Sequence, residues 1–160
     1  IIFYSTIPRN LINEMITSTK ENHALTNCMN QLEFIKEDYR NYKEAESNDD
    51  QETQDEIRKS ILNNALSIEF RSGWYSSPES IADLKPEEFK ILLSWGGPAC
   101  QVIGNLDQYK QPTDIEIQYQ DWGTPWESLQ LNPHYAGLNV NITDDIEALE
   151  WFCNCFYFGE

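Results

Sequence analysis

After Leu66 the hydrophobic pattern changes period. Upstream, apolar residues recur every three or four positions; downstream they alternate, and the stretch from Phe89 to Trp126 holds three strand-like runs set apart by turn residues. Phe89, Ile91, Leu93 and Trp95 alternate with Lys90, Leu92 and Ser94, as in a strand packed on one face and half covered on the other. Gly96-Gly97-Pro98 is a turn, and Ala99 to Leu106 returns as a strand in which Gly104 marks a bulge or the close approach of another backbone. A polar hairpin loop at Asp107 to Thr113 follows. Ile115, Ile117 and Tyr119 then alternate with Glu116, Gln118 and Gln120, so this strand should turn a polar face to water. Ile68 and Phe70 mark a shorter strand before these. Between it and Phe89, Ser77-Pro78 and Lys85-Pro86 punctuate the chain, with one turn of helix expected between them. The turn Asp121-Trp122-Gly123-Thr124-Pro125-Trp126 closes the sheet region, and residues 127 to 142 read as irregular.

Helices group before and after this sheet. A short apolar lead, residues 1 to 7, precedes a helix-start signal at Ser5, Thr6 and Pro8, and Leu11, Ile12, Met15 and Ile16 form one stripe of about three turns. From Ala24 to about Lys43, the residues Leu25, Cys28, Met29, Leu32, Ile35, Tyr39 and Tyr42 trace an internal helical face, with Lys36, Glu37 and Arg40 on the other side. Residues 44 to 56 carry seven acids (Glu44, Glu46, Asp49, Asp50, Glu52, Asp55 and Glu56) and no Lys or Arg, which reads as a solvated linker or a frayed helix end. The helix resumes near Asp55 with Ile57, Ile61, Leu62, Ala65 and Leu66 as its stripe. A last helix is capped by Asn141 or Thr143, carries Asp144, Asp145 and Glu147 at the positive end of its dipole, and has Ile146, Leu149, Phe152, Cys153 and Phe156 as its apolar side. The expected architecture is therefore α+β: N-terminal helices, then a three- to four-stranded antiparallel sheet packed against helices that include a C-terminal one. At 160 residues and 40% hydrophobic content, one domain spanning residues 1 to 160 is expected, with a helical part to residue 66 and the sheet and last helix from residue 67.

The net charge of −16 is far outside the magnitude of about 2–8 that suits a small soluble domain. From residue 67 onward fifteen acids face only Arg71, Lys85, Lys90 and Lys110, so no basic stripe exists to neutralise phosphates. Direct nucleic-acid binding and anionic membranes are excluded on this ground, whereas basic protein surfaces are attracted. A halophilic or merely very soluble surface would carry the same signature. Arg71 is expected to pair with an acid in the turn after Tyr119 or to stack on an indole.

Cys28, Cys100, Cys153 and Cys155 are scattered rather than arrayed as a secreted scaffold, which points to a reducing, cytoplasmic setting. No apolar run is long enough for a membrane span, and the absence of an initial Met suggests that an initiator or short leader precedes Ile1. A zinc site built from Cys153, Cys155, His23 and His134 would need nearly every candidate to converge, and positions two apart on a helix diverge, so no metal or other cofactor is expected. Cys100 with His134 as a nucleophilic pair lacks an orienting group and a local signature. Asp121 and Glu127, flanking Trp122 and Trp126, could form the paired carboxylates of a hydrolase; equally, Asp121 accepts the hydrogen bonds of its own turn and the indoles are pinned over the sheet end.

Four segments carry a resemblance: IEFRSGWYSS at 68–77, LLSWGGPACQVIGNLD at 92–107, QYQDWGTPWESL at 118–129 and CFYFGE at 155–160. Together they resemble small acidic accessory proteins of phages and plasmids. The resemblance leaves the helical N-terminal part unmatched and transfers no functional residue. It implies a context in mobile elements, whose accessory proteins include inhibitors of host defence of the antirestriction and anti-CRISPR kind. The expectation drawn from charge and resemblance together is a non-enzymatic inhibitor that imitates nucleic acid on a basic surface of a nuclease or defence complex. An immunity protein against a basic toxin and a hydrolase using Asp121 and Glu127 are the alternatives. The residues expected to meet the partner are the seven acids of 44–56, Glu116 and Asp121 for charge, and Trp74, Trp122 and Trp126 as anchors.

Overall fold

The computed structural model of the chain describes residues 22–74, 77 and 84–159. The expected apolar lead, the helix around Leu11 to Ile16 and the helical turn before Lys85 lie outside the described residues.

Helix α1, His23–Ser47, starts where the Asn22 side chain accepts the Leu25 N–H at 3.0 Å. Its buried face, Ala24, Cys28, Leu32, Ile35, Tyr42 and Ala45, follows the three-and-four spacing and continues past Lys43. Helix α2, Gln51–Asn64, follows after only Asn48, Asp49 and Asp50. Residues 44–56 are therefore the end of a helical hairpin and not a linker. The Asp49 N–H reaches Glu46 O at 3.2 Å and the Asp50 N–H reaches Ala45 O at 2.9 Å, with Asp49 in the left-handed region at φ 57°. This nested pair closes α1, while the Asp50 side chain accepts from Thr53 N at 3.1 Å and opens α2. Acidic composition does not distinguish an exposed helix from a loop, because Glu is a good helix former.

Five antiparallel strands form a meander in the order β1 (Ser67–Arg71), β2 (Glu88–Ser94), β3 (Pro98–Leu106), β4 (Pro112–Asp121) and β5 (Glu127–Ser128). The count exceeds the expected three to four because β5 is a two-residue edge pairing, Gln118 with Ser128 and Tyr119 with Glu127, too short to leave a periodic signal. Residues 127–142, read as irregular, also hold the short helix α3, Pro133–Ala136. Gly104 serves both expected purposes: the β3–β4 register shifts between Ile103 and Asn105, and a Cβ at Gly104 would lie 2.7 Å from the Phe89 ring and 2.9 Å from Thr113 O.

One sheet face carries Phe89, Ile91, Cys100, Val102, Ile117 and Tyr119 into the core, where α1 and α4 (Ile142–Cys153) cover it. Leu149, Phe152 and Cys153 of α4 are buried there, and Phe158 lies 4.8 Å from the Phe89 ring and 6.1 Å from that of Phe70. Leu62, Leu66 and Ile146, expected in buried stripes, are exposed, because the faces of α2 and α4 that meet the rest of the molecule are centred on Ile61 and on Ala148 and Leu149.

Lys36 and Asp145 depart most from expectation. Lys36 turns inward, its Nζ 2.9 Å from Asp145 Oδ1, and the Tyr135 hydroxyl donates to Asp145 Oδ2 at 2.5 Å. Asp145 is wholly buried. Asp144 keeps the exposed place near the helix start that was expected of both residues. Burial by itself would lower the pKa of Lys36, but the hydrogen bond and charge of Asp145, with Glu33 adding to them, raise it above the ordinary value. Burial, then the bond to Asp145, also pushes the Tyr135 hydroxyl well above the usual phenol range. Farther along, the Tyr39 and Tyr42 rings lie tilted against Trp151 at 5.4 and 5.2 Å, so α1 and α4 run in the same direction.

Candidate functional site

All seven acids of the hairpin end are exposed. Of these seven, only Glu46 has an ion-pair partner among the described residues, Lys43 Nζ at 2.5 Å. Asp50 is taken up as the α2 cap, which lowers its pKa through the Thr53 hydroxyl and N–H, and Asp55 accepts from Gln51 at 2.9 Å. Glu44, Glu46, Asp49 and Asp50 crowd the C-terminal end of α1, whose last turn holds no basic residue. A helix dipole is negative there, which disfavours Glu44 and Glu46 in the last turn, and the crowded carboxylates also repel one another. Asp50 and Glu52 serve the start of α2, as its cap and in its first turn, but Glu44 and Glu46 gain nothing from the dipole they face.

The exposed indoles lie elsewhere. Trp122 is 80% exposed, and its indole crosses the backbone of Gly97 so closely that a Cβ there would meet Nε1 at 1.8 Å. The Gly96-Gly97-Pro98 and Asp121-to-Trp126 turns thus form one corner, joined by the pairing of Pro98 with Asp121. Trp95, expected inside β2, sits outside it at this corner and is 81% exposed. Its place directly before Gly-Gly-Pro was the signal that could have revealed it. Trp126 is half-buried and so is no free anchor, while Trp74 is fully exposed beyond β1. The start of α1 touches the corner, Asn27 Nδ2 donating to Ser94 Oγ at 2.9 Å. From Asn27 to Glu46 the helix rises roughly 28 Å, so the acidic end and the indole corner are separate surfaces.

Asp121 is consumed locally: its Oδ1 accepts Trp122 N–H at 2.8 Å, and its carbonyl accepts the Thr124 hydroxyl at 3.1 Å. Glu127 Oε2 accepts the Tyr119 hydroxyl at 2.8 Å, and Asn132 Nδ2 donates to the same hydroxyl at 2.7 Å. Burial and then Glu127 push Tyr119 up to about 12. Each carboxylate is held by its own neighbours, not turned toward the other across a cleft.

The outer sheet face is a polar ladder and is less wet than expected. Arg71 bonds Glu88 directly opposite on β2, not an acid after Tyr119 or an indole. Lys90 meets Glu69 at 2.8 Å, Asn105 donates to Asp114 at 3.0 Å, Gln101 to Gln118 at 2.8 Å and Gln118 to Glu116 at 2.7 Å. Glu116 and Gln118 are half-buried and Gln101 is buried, because neighbours across four strands shield one another. A cavity of about 640 Å³ lies over this ladder; Arg71 and Lys90 pair there with Glu88 and Glu69, while Asp114 and Glu116 accept from the amides of Asn105 and Gln118.

Cys100 is buried with Cys28 against it; its hydrogen bond to Cys28, then burial, push its thiol far above the ordinary range, the reverse of an activated nucleophile. His134 is exposed at the start of α3. Cys153 is buried, and Cys155, half-buried, is pushed up to about 11, chiefly by burial. Among the described residues no three of His, Cys, Asp and Glu are grouped so as to hold a metal ion, and no helix is long and apolar enough to cross a membrane. Comparison of the chain with protein-family models, with curated proteins and with solved structures finds no significant match.

Proposed function

We propose that this chain is a non-enzymatic binding protein that sets the acidic end of the α1–α2 hairpin into a basic, nucleic-acid-binding groove of another protein, as an inhibitor of a host nuclease or defence complex. The observation that carries this reading is the cluster of seven exposed carboxylates around the α1–α2 turn, with Lys43 as the one cation paired to them among the described residues. Like charges such as Glu52 and Glu56, four apart on α2, repel, and local preferences of this kind are set aside mainly where a surface serves a partner. Neighbours such as Glu52, Asp55 and Glu56 lie on adjoining turns of α2, about 5–6 Å apart at Cβ, and present repeated negative charge as a phosphate backbone does. The resemblance to small acidic proteins of mobile elements supports the same reading.

The test uses two immobilised proteins: the wild type, and a variant with Glu44, Glu46, Glu52 and Glu56 changed to Gln and Asp49 and Asp55 to Asn. Asp50 is kept because it caps α2. Circular dichroism checks that the variant folds. Proteins retained from a nuclease-treated bacterial lysate are identified by mass spectrometry and purified, and their nucleic-acid binding is measured by fluorescence anisotropy. The wild type is expected to displace the nucleic acid, more weakly as salt rises, and the variant to be at least about tenfold less effective. A partner that keeps its nucleic acid while bound, or equal displacement by the variant, sinks the proposal. A basic toxin as the displaced protein would make the chain an immunity protein acting through the same surface.

A further inference from the structure

A second groove, of about 430 Å³, lies between α1, the end of α2 and the sheet. Ile35, Ile61, Ala65, Leu93 and Phe152 wall it with apolar surface, and Phe34, 61% exposed, stands at its mouth. A single carboxylate, Asp38, faces into this lining, half-buried and without a hydrogen bond or ion pair among the described residues. Nearby cations are committed elsewhere. Arg58 donates to the Tyr42 hydroxyl at 2.6 Å and lies 5.0 Å from that ring's centre, and Lys36 is held by Asp145. Burial, then the charge of Glu37, raises the pKa of Asp38, so its ionised form lacks the stabilisation that a bound cation would bring.

Position 38 falls between Ile35 and Tyr42 on the buried stripe of α1, while Phe34 falls off the stripe and into solvent. Both residues run against the pattern of an amphipathic helix, and both line the same groove. This sets the groove apart from the larger cavity over the outer sheet face, where Arg71, Glu88, Lys90 and Glu69 satisfy one another.

We infer that this groove takes an arginine side chain from the basic partner, its guanidinium on Asp38 and its face against Phe34. Arginine fits better than lysine on three counts: a planar cation stacks on an aromatic ring, it is the less strongly hydrated cation, and it can bond a carboxylate through two N–H groups at once. The Gln31 and Asn64 side chains at the rim supply further amide oxygens for its remaining donors. Its methylene stem would lie on the apolar walls, a volume within the range of about 300–1,000 Å³ common for ligand sites. The inference rests on the proposed function for the identity of the partner, but the groove can be tested without one.

The full chain, labelled at its methyl groups, is titrated with N-acetyl-arginine methylamide and followed by NMR. The citrulline analogue, equal in shape but uncharged, and the lysine analogue run in parallel. Expected are shifts centred on Ile35, Ile61, Ala65 and Leu93 at roughly millimolar probe, at least about tenfold weaker binding of citrulline, and lysine in between. Asp38→Asn should abolish the preference for arginine while the spectrum stays that of a folded protein, because Asp38 bonds nothing among the described residues. Equal binding of citrulline, equal binding by Asp38→Asn, shifts confined to the hairpin end, or no shifts at all overturn the inference. An unresponsive groove in a protein that still displaces nucleic acid from its partner removes the arginine site alone. A responsive groove without displacement removes the acidic-inhibitor reading alone.

Discussion

The end of the α1–α2 hairpin and the buried contact around Asp145 treat negative charge in opposite ways. Asp145 has no exposed surface, yet a cation and a hydroxyl meet its two oxygens, and the three residues tie α1, α3 and α4 together. At the hairpin end the carboxylates are exposed and mostly unpaired, and Glu44 and Glu46 lie against the unfavourable end of a helix dipole. A buried charge has to be matched or the fold fails. An exposed one can be placed against local preference at small cost, and that freedom is what a binding surface can use.

Breaking the buried contact should have the largest effect. Lys36→Met leaves Asp145 buried and unpaired and is expected to cost about 3–5 kcal/mol, read from the urea midpoint. Adding Asp145→Leu should restore much of the loss. A single-variant cost under about 1 kcal/mol would mean that Asp145 does not need its cation, and the contrast between the two regions would collapse.

The same contact sets a smaller, pH-dependent effect. Lys36 and Tyr135 both have folded-state pKa values raised above their ordinary 10.5 and 10.0, so both hold their protons more tightly in the folded chain. Their contribution is complete below those ordinary values and is lost as pH rises through the elevated ones. Urea midpoints should therefore fall above about pH 10, and Tyr135→Phe should flatten that fall. An equal alkaline slope in wild type and variant would show that Tyr135 does not share in it.

The smallest change is expected at the hairpin end. Asp49 holds a left-handed conformation at φ 57°, which glycine adopts without strain. Asp49→Gly should stabilise the chain by about 0.5–1 kcal/mol, with Asp49→Asn gaining only the part due to charge. If both variants lose stability, the carboxylate contributes to the fold and the hairpin end is less purely a display surface than the comparison holds.

Much of the architecture was readable from spacing. Cys28, Leu32, Ile35 and Tyr42 mark the inner side of α1, and Ile117 and Tyr119 that of β4, because the burial of a periodic face follows from each element's own geometry. The hairpin is hidden in composition, which shows only a run of acids; its signal is Asp50, an N-cap residue just before the α2 stripe. The separation of the acids from Trp122 was not readable, since it depends on which end of α1 touches the Gly-Gly-Pro corner.

Period and charge, being summed over neighbours along the chain, already set the helix-then-sheet order and the strongly acidic balance of the surface. The burial of Asp145 beside Lys36, the half-burial of Trp126 against the exposure of Trp95, and the unpaired Asp38 in an apolar groove were left to packing. Each turns on a contact between residues distant in sequence, and one residue's exposure is fixed by what its neighbours in space cover.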